Sequence, residues 1–136
     1  MKRNITLESK IESLRVVEKI IDEISDKHRI TDELYGNLLI ATIESVQNAI
    51  IHGNKFDPGK AVELRIKIAD GKLVVITRDQ GNGFDINDVP DPTEPQNIEK
   101  NTGRGVFLMK HLTDKLTYHE DGRVAEFELE MKSPVG

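Results

Sequence analysis

The 136-residue sequence has no cysteine and no tryptophan, and aromatic residues make up only 4% of it. Without cysteine, disulfide bridges and thiolate metal sites are excluded. The few aromatic rings disfavour the stacking platforms that bind single-stranded nucleic acid. Apolar runs are short and broken by charges, so no segment suits a membrane span of about 20 apolar residues. The N-terminal stretch MKRNITLESK lacks the apolar block of a signal peptide, and we expect a cytoplasmic protein.

Basic residues are also too scattered to form a nucleic-acid-binding surface. The formal net charge is −5, and lysines and arginines are interspersed with acids along the whole chain. Proteins that bind nucleic acid directly usually carry a basic patch, so direct binding of this kind is disfavoured. The length is typical of one domain, and neither an internal repeat nor a linker divides the chain. We therefore predict a single domain over 1–136.

Two helices are predicted in the first half of the chain. Ser9 is a suitable N-cap for the first, which ends near Lys27. Its apolar residues recur at helical spacing: Ile11, Leu14, Val17, Ile20, Ile21 and Ile24. Thr31 is the cap of the second helix, which is predicted from Asp32 to His52 and is followed by Gly53 as a natural end.

Strands surround these helices in the sequence. NITLES is a candidate first strand, and Val62 to Ile68 alternate apolar and charged residues before a hairpin signal at Asp70-Gly71. KLVVIT is apolar on both faces, which indicates a central strand. After a long proline-rich loop at 84–102 and a short helix, a second hairpin is predicted to turn at Asp121-Gly122. This order predicts an α+β fold, a two-layer α/β sandwich with helices on one face of a mostly antiparallel mixed sheet.

The second helix carries a narrow polar line. Each helical residue advances by about 100°, which places Asn48 about 40° and Asn37 about 20° from Glu44. Most of the remaining circumference is apolar, as in a buried helix. Carboxylates are rarely buried without a partner. The line is therefore either a solvent edge or the wall of a polar site.

Two glycine pairs follow. Asp79, Gly81 and Gly83 come directly after the central strand, where paired glycines allow a close approach of the backbone to a ligand. Gly103 and Gly105 are predicted to form a turn that opens a helix, whose free N–H groups suit an anion, and Arg104 between them suits phosphate oxygens. Each pair alone is ambiguous. Neither a P-loop nor a dinucleotide fingerprint is present.

In combination these segments are specific. The succession ESVQNAIIHGN, DQGNG, a long loop and GRGVFLMKHLTD resembles the Bergerat, or GHKL, ATP-binding fold of histidine kinases, type II topoisomerase subunits, heat-shock-90 chaperones and mismatch-repair ATPases. The wording NAIIHGN, with DPT ahead of GRGVFLM, is most similar to the small stand-alone anti-sigma factor serine/threonine kinases. The resemblance covers about residues 9–131.

The resemblance implies the first group of site residues. Asn48 would ligate Mg²⁺ through its side-chain oxygen, and Glu44 would act as the general base toward a substrate hydroxyl or water. Asp79 would accept a hydrogen bond from the adenine amino group of ATP. Gly81 and Gly83 would let the chain pass close to the base.

The resemblance also implies how the phosphates are held. The loop at 84–102 would form a lid over ATP. Gly103, Arg104 and Gly105, with the N–H of Val106, would hold the phosphates. Members of the superfamily often use a threonine of the last strand to bind adenine through water. Here that region reads GRVAEFEL, without threonine, and Thr77 of the central strand is a candidate neighbour of the base.

For function, the resemblance implies a kinase that sequesters a sigma factor and phosphorylates a serine or threonine of a STAS-type anti-anti-sigma protein. Two alternatives stay open at this point. The first is a nucleotide-dependent binding module with little transfer activity, and the second is an ATPase core that acts with a histidine phosphorelay. A homodimer formed through the helix at 9–27 is a further expectation.

Overall fold

A computed structural model of the chain describes residues 1–82 and 105–131 in full, and residues 101–104 by their backbone. Five strands and three α-helices are present in this part: β1 (Lys2–Glu8), α1 (Ser13–Lys27), α2 (Asp32–Asn48), β2 (Ala61–Ala69), β3 (Lys72–Arg78), α3 (Asn101–Leu112), β4 (Lys115–His119) and β5 (Val124–Glu130). A π-helical turn, Ala49–Gly53, continues α2, and a short 3₁₀ turn, Glu120–Gly122, joins β4 to β5. In the described part of the chain, no helix is long and apolar enough to cross a bilayer.

The strands form one sheet in the order β1-β2-β3-β5-β4, with β3 at the centre. Every pairing between described strands is antiparallel, so the predicted sandwich is confirmed but the expected mixed character of the sheet is not found. The hairpin at Asp70-Gly71 is confirmed. Both residues have positive φ, 54° and 74°, as a two-residue turn that follows the sheet twist requires.

Helices pack on one face of the sheet, and the main core lies between the two layers. On β2 and β5 the residues of this inner face alternate with charged residues of the outer face, while the central strand β3 is apolar on its outer face too, at Val74 and Ile76. Fully buried side chains come from both layers: Val17, Ile21, Leu38, Val46, Ile50, Val62, Leu64, Ile66, Leu73, Val75, Met109 and Phe127. The inner face of β3 therefore packs against α2, the helix that carries the polar line.

The start of α1 differs from its prediction. Ser9 does not cap the helix, which begins at Ser13 after a turn in which the Ser13 N–H bonds the Lys10 carbonyl at 3.1 Å. The Ser9 hydroxyl instead donates to the carbonyl of Lys60 at 2.6 Å and accepts from Asn54 at 2.9 Å. A local capping signal was therefore overridden by contacts with residues more than 40 positions away.

Thr31 caps α2 as predicted, since its hydroxyl accepts from the Leu34 N–H at 3.3 Å. The predicted helix end near His52 also holds, but the last turn is π-helical, with the Asn54 N–H bonded to the Ala49 carbonyl at 2.7 Å. Single π turns inside helices are frequent at functional sites.

The glycine-rich turn ahead of α3 is not found. The helix already begins at Asn101, so Gly103 and Gly105 lie inside its first two turns. Glycine is tolerated in a helix at a cost of about 1 kcal/mol, and contacts with α2 offset that cost here. The predicted lid at 84–102 lies outside the described residues apart from its last two positions, which are helical.

Candidate functional site

A cavity of about 80 Å³ opens between α2, α3 and the sheet. Its lining brings together elements that are distant in sequence: Ser45, Asn48, Ala49, His52 and Gly53 of the α2 region, Thr77 and Asp79 of β3 and its end, Met109 of α3, and Tyr118, Gly122, Arg123 and Ala125 of the β4-β5 hairpin. One wall of the cavity is thus the end of α2 that carries Asn48, and the other is the end of β3 with the carboxylate of Asp79. The apolar residues Ala49, Met109 and Ala125 complete the lining.

The polar line of α2 faces the first glycine-containing turns of α3. A methyl group on Gly105 would lie 3.0 Å from Glu44 Oε2, 3.0 Å from Asn48 Nδ2 and 3.2 Å from Asn48 Oδ1. Glu44 and Asn48 are both half-buried, and Gly105 is buried. A side chain at 105 would push the ends of Glu44 and Asn48 aside by a few tenths of an ångström, so glycine allows their close approach to α3.

Gly53 and Gly81 interlock around the carboxylate of Asp79. A methyl group on Gly53 would lie 2.4 Å from Asp79 Cγ and Oδ2, and one on Gly81 would lie 2.0 Å from the carbonyl oxygen of Gly53. The N–H of Gly81 donates to Asp79 Oδ1 at 2.8 Å. The Asp79 N–H bonds the Arg123 carbonyl at 2.9 Å. The carboxylate is therefore held in one position from three sides.

Asn54 is a structural residue of the site, a role that the sequence left uncertain. It is 1% exposed, donates to the Ala61 carbonyl at 3.0 Å and accepts from the Gln80 N–H at 2.7 Å. Gln80 in turn accepts from the Ala61 N–H at 2.6 Å. These bonds tie the end of the π turn to the loop that carries Asp79, and so fix the NAIIHGN and DQGNG segments relative to each other.

The environment of Asp79 makes its charge costly. Burial raises the pKa of this carboxyl, while the Gly81 N–H and the positive charges of Arg123 and Lys60 lower it by a smaller amount. A carboxylate in such a place has a strong preference for a hydrogen-bond donor from a ligand. An amino group at the edge of a flat ring would supply one.

The oxygen atoms of the polar line fit a hard divalent cation such as Mg²⁺. Glu44 Oε2 and the Asn48 amide, whose Nδ2 lies slightly nearer than its Oδ1, face the space beside Gly105 where a Cβ atom is missing. Mg²⁺ prefers oxygen ligands and is usually held by few protein groups together with substrate phosphates. Within residues 1–82 and 101–131, no cluster of three or more histidines or carboxylates is placed to hold a metal. Asn48 stays the residue predicted to ligate the ion.

The start of α3 carries the residues predicted to hold phosphates. Because the helix begins at Asn101, the N–H groups of residues 101–103 lack partners inside the helix. Gly105 and Val106 follow them, and the Val106 side chain is 3% exposed in the core. Gly83 and the Arg104 side chain lie outside the described residues, so their roles stay predictions.

Two buried hydroxyl residues line the cavity: Thr77, the predicted candidate neighbour of the base, and Ser45, which the sequence did not identify as a site residue. Ser45 lies next to Glu44 on α2, and Thr77 is the only polar residue in the inward series Leu73, Val75, Thr77 of β3. A hydroxyl in an otherwise apolar inward series agrees with the prediction that Thr77 lies in the site and not only in the core.

Comparisons with known proteins agree with this geometry. A family model described as the histidine kinase-like ATPase domain matches residues 7–131. The chain is 28% identical over 122 residues to the serine-protein kinase RsbW of Bacillus licheniformis, covering 85% of this chain and 76% of that protein. It is 36% identical over 90 residues to the anti-sigma F factor of Geobacillus stearothermophilus, covering 63% and 60%.

A solved structure shows the same fold. The RsbU and RsbW domains of Rv1364c from Mycobacterium tuberculosis superpose with a TM-score of 0.64 at 16% identity, over 97% of this chain and 32% of that one. At this identity the likeness concerns the fold alone. With the match of the family model, it confirms the resemblance that the motifs predicted, and the chain belongs to the histidine kinase-like ATPase domain family.

Proposed function

We propose that this protein is a Mg²⁺- and ATP-dependent protein serine/threonine kinase that also binds a bacterial sigma factor in the cytoplasm. The observation that carries the proposal is the convergence of Glu44 and Asn48 on Gly105, at one side of a cavity that also holds Asp79. The names of the relatives, serine-protein kinase RsbW and anti-sigma F factor, support the same function.

In this proposal ATP enters the cavity with its base toward Asp79. The carboxylate accepts a hydrogen bond from the adenine amino group, and the close packing of Gly53 and Gly81 holds Asp79 in position for it. The triphosphate then extends toward the start of α3, where the N–H groups of 101–103 and the helix dipole favour negative charge. Gly83, Arg104, Gly105 and Val106 remain the further residues proposed to contact the nucleotide.

Glu44 and Asn48 serve the transfer step. Bound Mg²⁺ would neutralise phosphate charge, with Asn48 Oδ1 as its ligand from the protein. The hydroxyl oxygen of the acceptor serine or threonine attacks the γ-phosphorus, and the bond from that phosphorus to the bridging oxygen of ADP breaks. Glu44 accepts the hydroxyl proton. The products are the phosphorylated protein and ADP.

The proposed partners are a sigma factor and a STAS-type anti-anti-sigma protein. Phosphorylation of the STAS protein would end its competition with the sigma factor for this chain, so that ATP turnover decides which partner is bound. A homodimer is part of the proposal, because a paired surface would present two copies of the site to these partners.

The proposal is tested by incubating the chain with radiolabelled ATP, MgCl₂ and candidate STAS proteins from the same genome. We expect one STAS protein to gain a phosphate on serine or threonine, and we expect the unphosphorylated form to release a co-purified sigma factor. Nucleotide binding without transfer to any of them would favour the regulatory binding module. Transfer to a histidine would favour the phosphorelay alternative.

Replacing Asp79 with asparagine is expected to weaken ATP binding by about tenfold, because a charge-assisted hydrogen bond becomes a neutral one. Calorimetric titration of both proteins with ATP measures this change. Equal affinities would contradict the assignment of Asp79 to the base.

The same variant has an expected signature in stability. Because burial raises the pKa of Asp79, the folded chain holds this proton more tightly than the unfolded chain. Ionisation therefore lowers the free energy of unfolding as the pH rises above the ordinary pKa of aspartate. Without ATP, the asparagine variant should be more stable than wild type at neutral pH, and the difference should vanish in acid. Urea unfolding at several pH values measures it.

A further inference from the structure

Two hydroxyl groups of the cavity are buried without a hydrogen-bond partner among the described residues. Ser45 Oγ lies on the α2 wall and Thr77 Oγ1 on the β3 wall, and the two residues are 3% and 2% exposed. Both line the cavity that holds Asp79. An unsatisfied buried hydroxyl destabilises a folded chain, and native proteins keep few of them. The pair therefore requires an explanation.

Neighbouring residues of the sheet do not satisfy Thr77. Its cross-strand neighbours are Leu64 on β2 and Ala125 on β5, and neither has a polar side-chain atom. The contrast with Thr42 on α2 is informative, because that buried hydroxyl donates to the carbonyl of Leu38 at 2.6 Å. Both residues line the cavity, so a water molecule or part of a ligand bound there can supply the missing partner.

The chemistry of Asp79 determines what these hydroxyls can add. An ionised carboxylate only accepts hydrogen bonds, so it can satisfy the amino group of adenine but not the neighbouring ring nitrogen N1, which needs a donor. Serine and threonine hydroxyls are donors that rotate to suit their partner. A carboxylate acceptor beside a hydroxyl donor matches the amino–N1 edge of adenine. Guanine presents the opposite order of donor and acceptor at that edge.

We propose that the hydroxyls of Ser45 and Thr77 supply the hydrogen bond that N1 of the adenine accepts, either from one of them directly or from a bound water that both hold, and thereby select adenine nucleotides. This assignment rests on the proposed binding of ATP. It also explains how the chain manages without a threonine in its last strand, since Thr77 lies directly opposite Ala125 of β5. In this chain a threonine of β3 would thus provide the hydroxyl that other members of the superfamily provide from the last strand.

The test compares ATP with 1-deaza-ATP, in which N1 is replaced by a CH group. Calorimetry in excess MgCl₂ measures both ligands with wild type, Thr77→Val and Ser45→Ala. We expect each variant to bind ATP about threefold to tenfold more weakly than wild type. We expect 1-deaza-ATP to bind to wild type and to both variants with the same affinity, because the lost contact is absent in each case.

Thr42→Val is the matched control. It removes a buried hydroxyl of the same helix, but one that is satisfied within the chain. We expect it to lower the thermal unfolding midpoint of the unliganded protein and to leave ATP affinity unchanged. Thr77→Val and Ser45→Ala should keep or raise that midpoint, because they remove an unsatisfied group.

Three results would overturn the inference. These are unchanged ATP affinity in both variants, an equal loss with 1-deaza-ATP, and an equal loss in Thr42→Val. If wild type bound no ATP at all, the proposed function itself would fail. Wild-type binding with unaffected variants would leave that function standing without the hydroxyl pair.

Discussion

Glu44→Gln is expected to reduce phosphoryl transfer by about 10²- to 10⁴-fold, the usual contribution of a general base. Glutamine has the same shape as glutamate, so it keeps the packing of Glu44 Oε2 against Gly105. It cannot take up the proton of the acceptor hydroxyl. ATP binding should change little, because Asp79 and the start of α3 bind the base and phosphates. Single-turnover transfer to the STAS protein and calorimetric ATP titration separate the two effects.

Glu33→Gln is the control for removing one negative charge from α2. Glu33 is exposed in the first turn of the helix, about three turns from Glu44. Its loss weakens a favourable interaction with the helix dipole by about 0.3–1 kcal/mol and should leave transfer at the wild-type rate. Phosphoryl transfer at the wild-type rate by Glu44→Gln would show that Glu44 is not the general base.

Gly81→Ala is expected to abolish measurable ATP binding and to lower the free energy of unfolding by about 1–3 kcal/mol, the usual cost of overpacking. The new methyl group would lie 2.0 Å from the carbonyl oxygen of Gly53, and a backbone atom cannot rotate away as a side chain can. A shift of either segment would displace Asp79. Gly81 follows it by two residues in the chain, and Gly53 packs directly against its carboxylate. Urea unfolding and ATP titration measure both consequences.

Gly36→Ala provides the comparison for this substitution. A methyl group on Gly36 in α2 would meet no atom within 4 Å. Alanine should stabilise the helix there by up to about 1 kcal/mol, with unchanged ATP binding. Wild-type ATP affinity in Gly81→Ala would show that the interlocked glycines do not position the base site.

Local signals predicted most of the fold. Thr31, the Asp70-Gly71 turn and the alternation along β2 act over a few residues, so the sequence pattern alone locates these elements. Ser9 shows the limit of this reasoning. Its hydroxyl fits an N-cap, but Lys60 and Asn54 offered it partners in the folded chain. The early start of α3 has the same origin, because contacts with α2 support glycines that are poor helix formers in isolation.

The sequence by itself determined which residues could do the chemistry. The spacing of Glu44 and Asn48 puts two polar groups on one side of an apolar helix, and this follows from helical geometry alone. Only the tertiary structure decided what surrounds them. It placed Gly105 against that line, packed Gly53 between Asp79 and Gly81, and put Thr77, with its buried hydroxyl, in the lining of the cavity. These contacts join segments far apart in the chain, and the packing of the whole domain positions them to a fraction of an ångström.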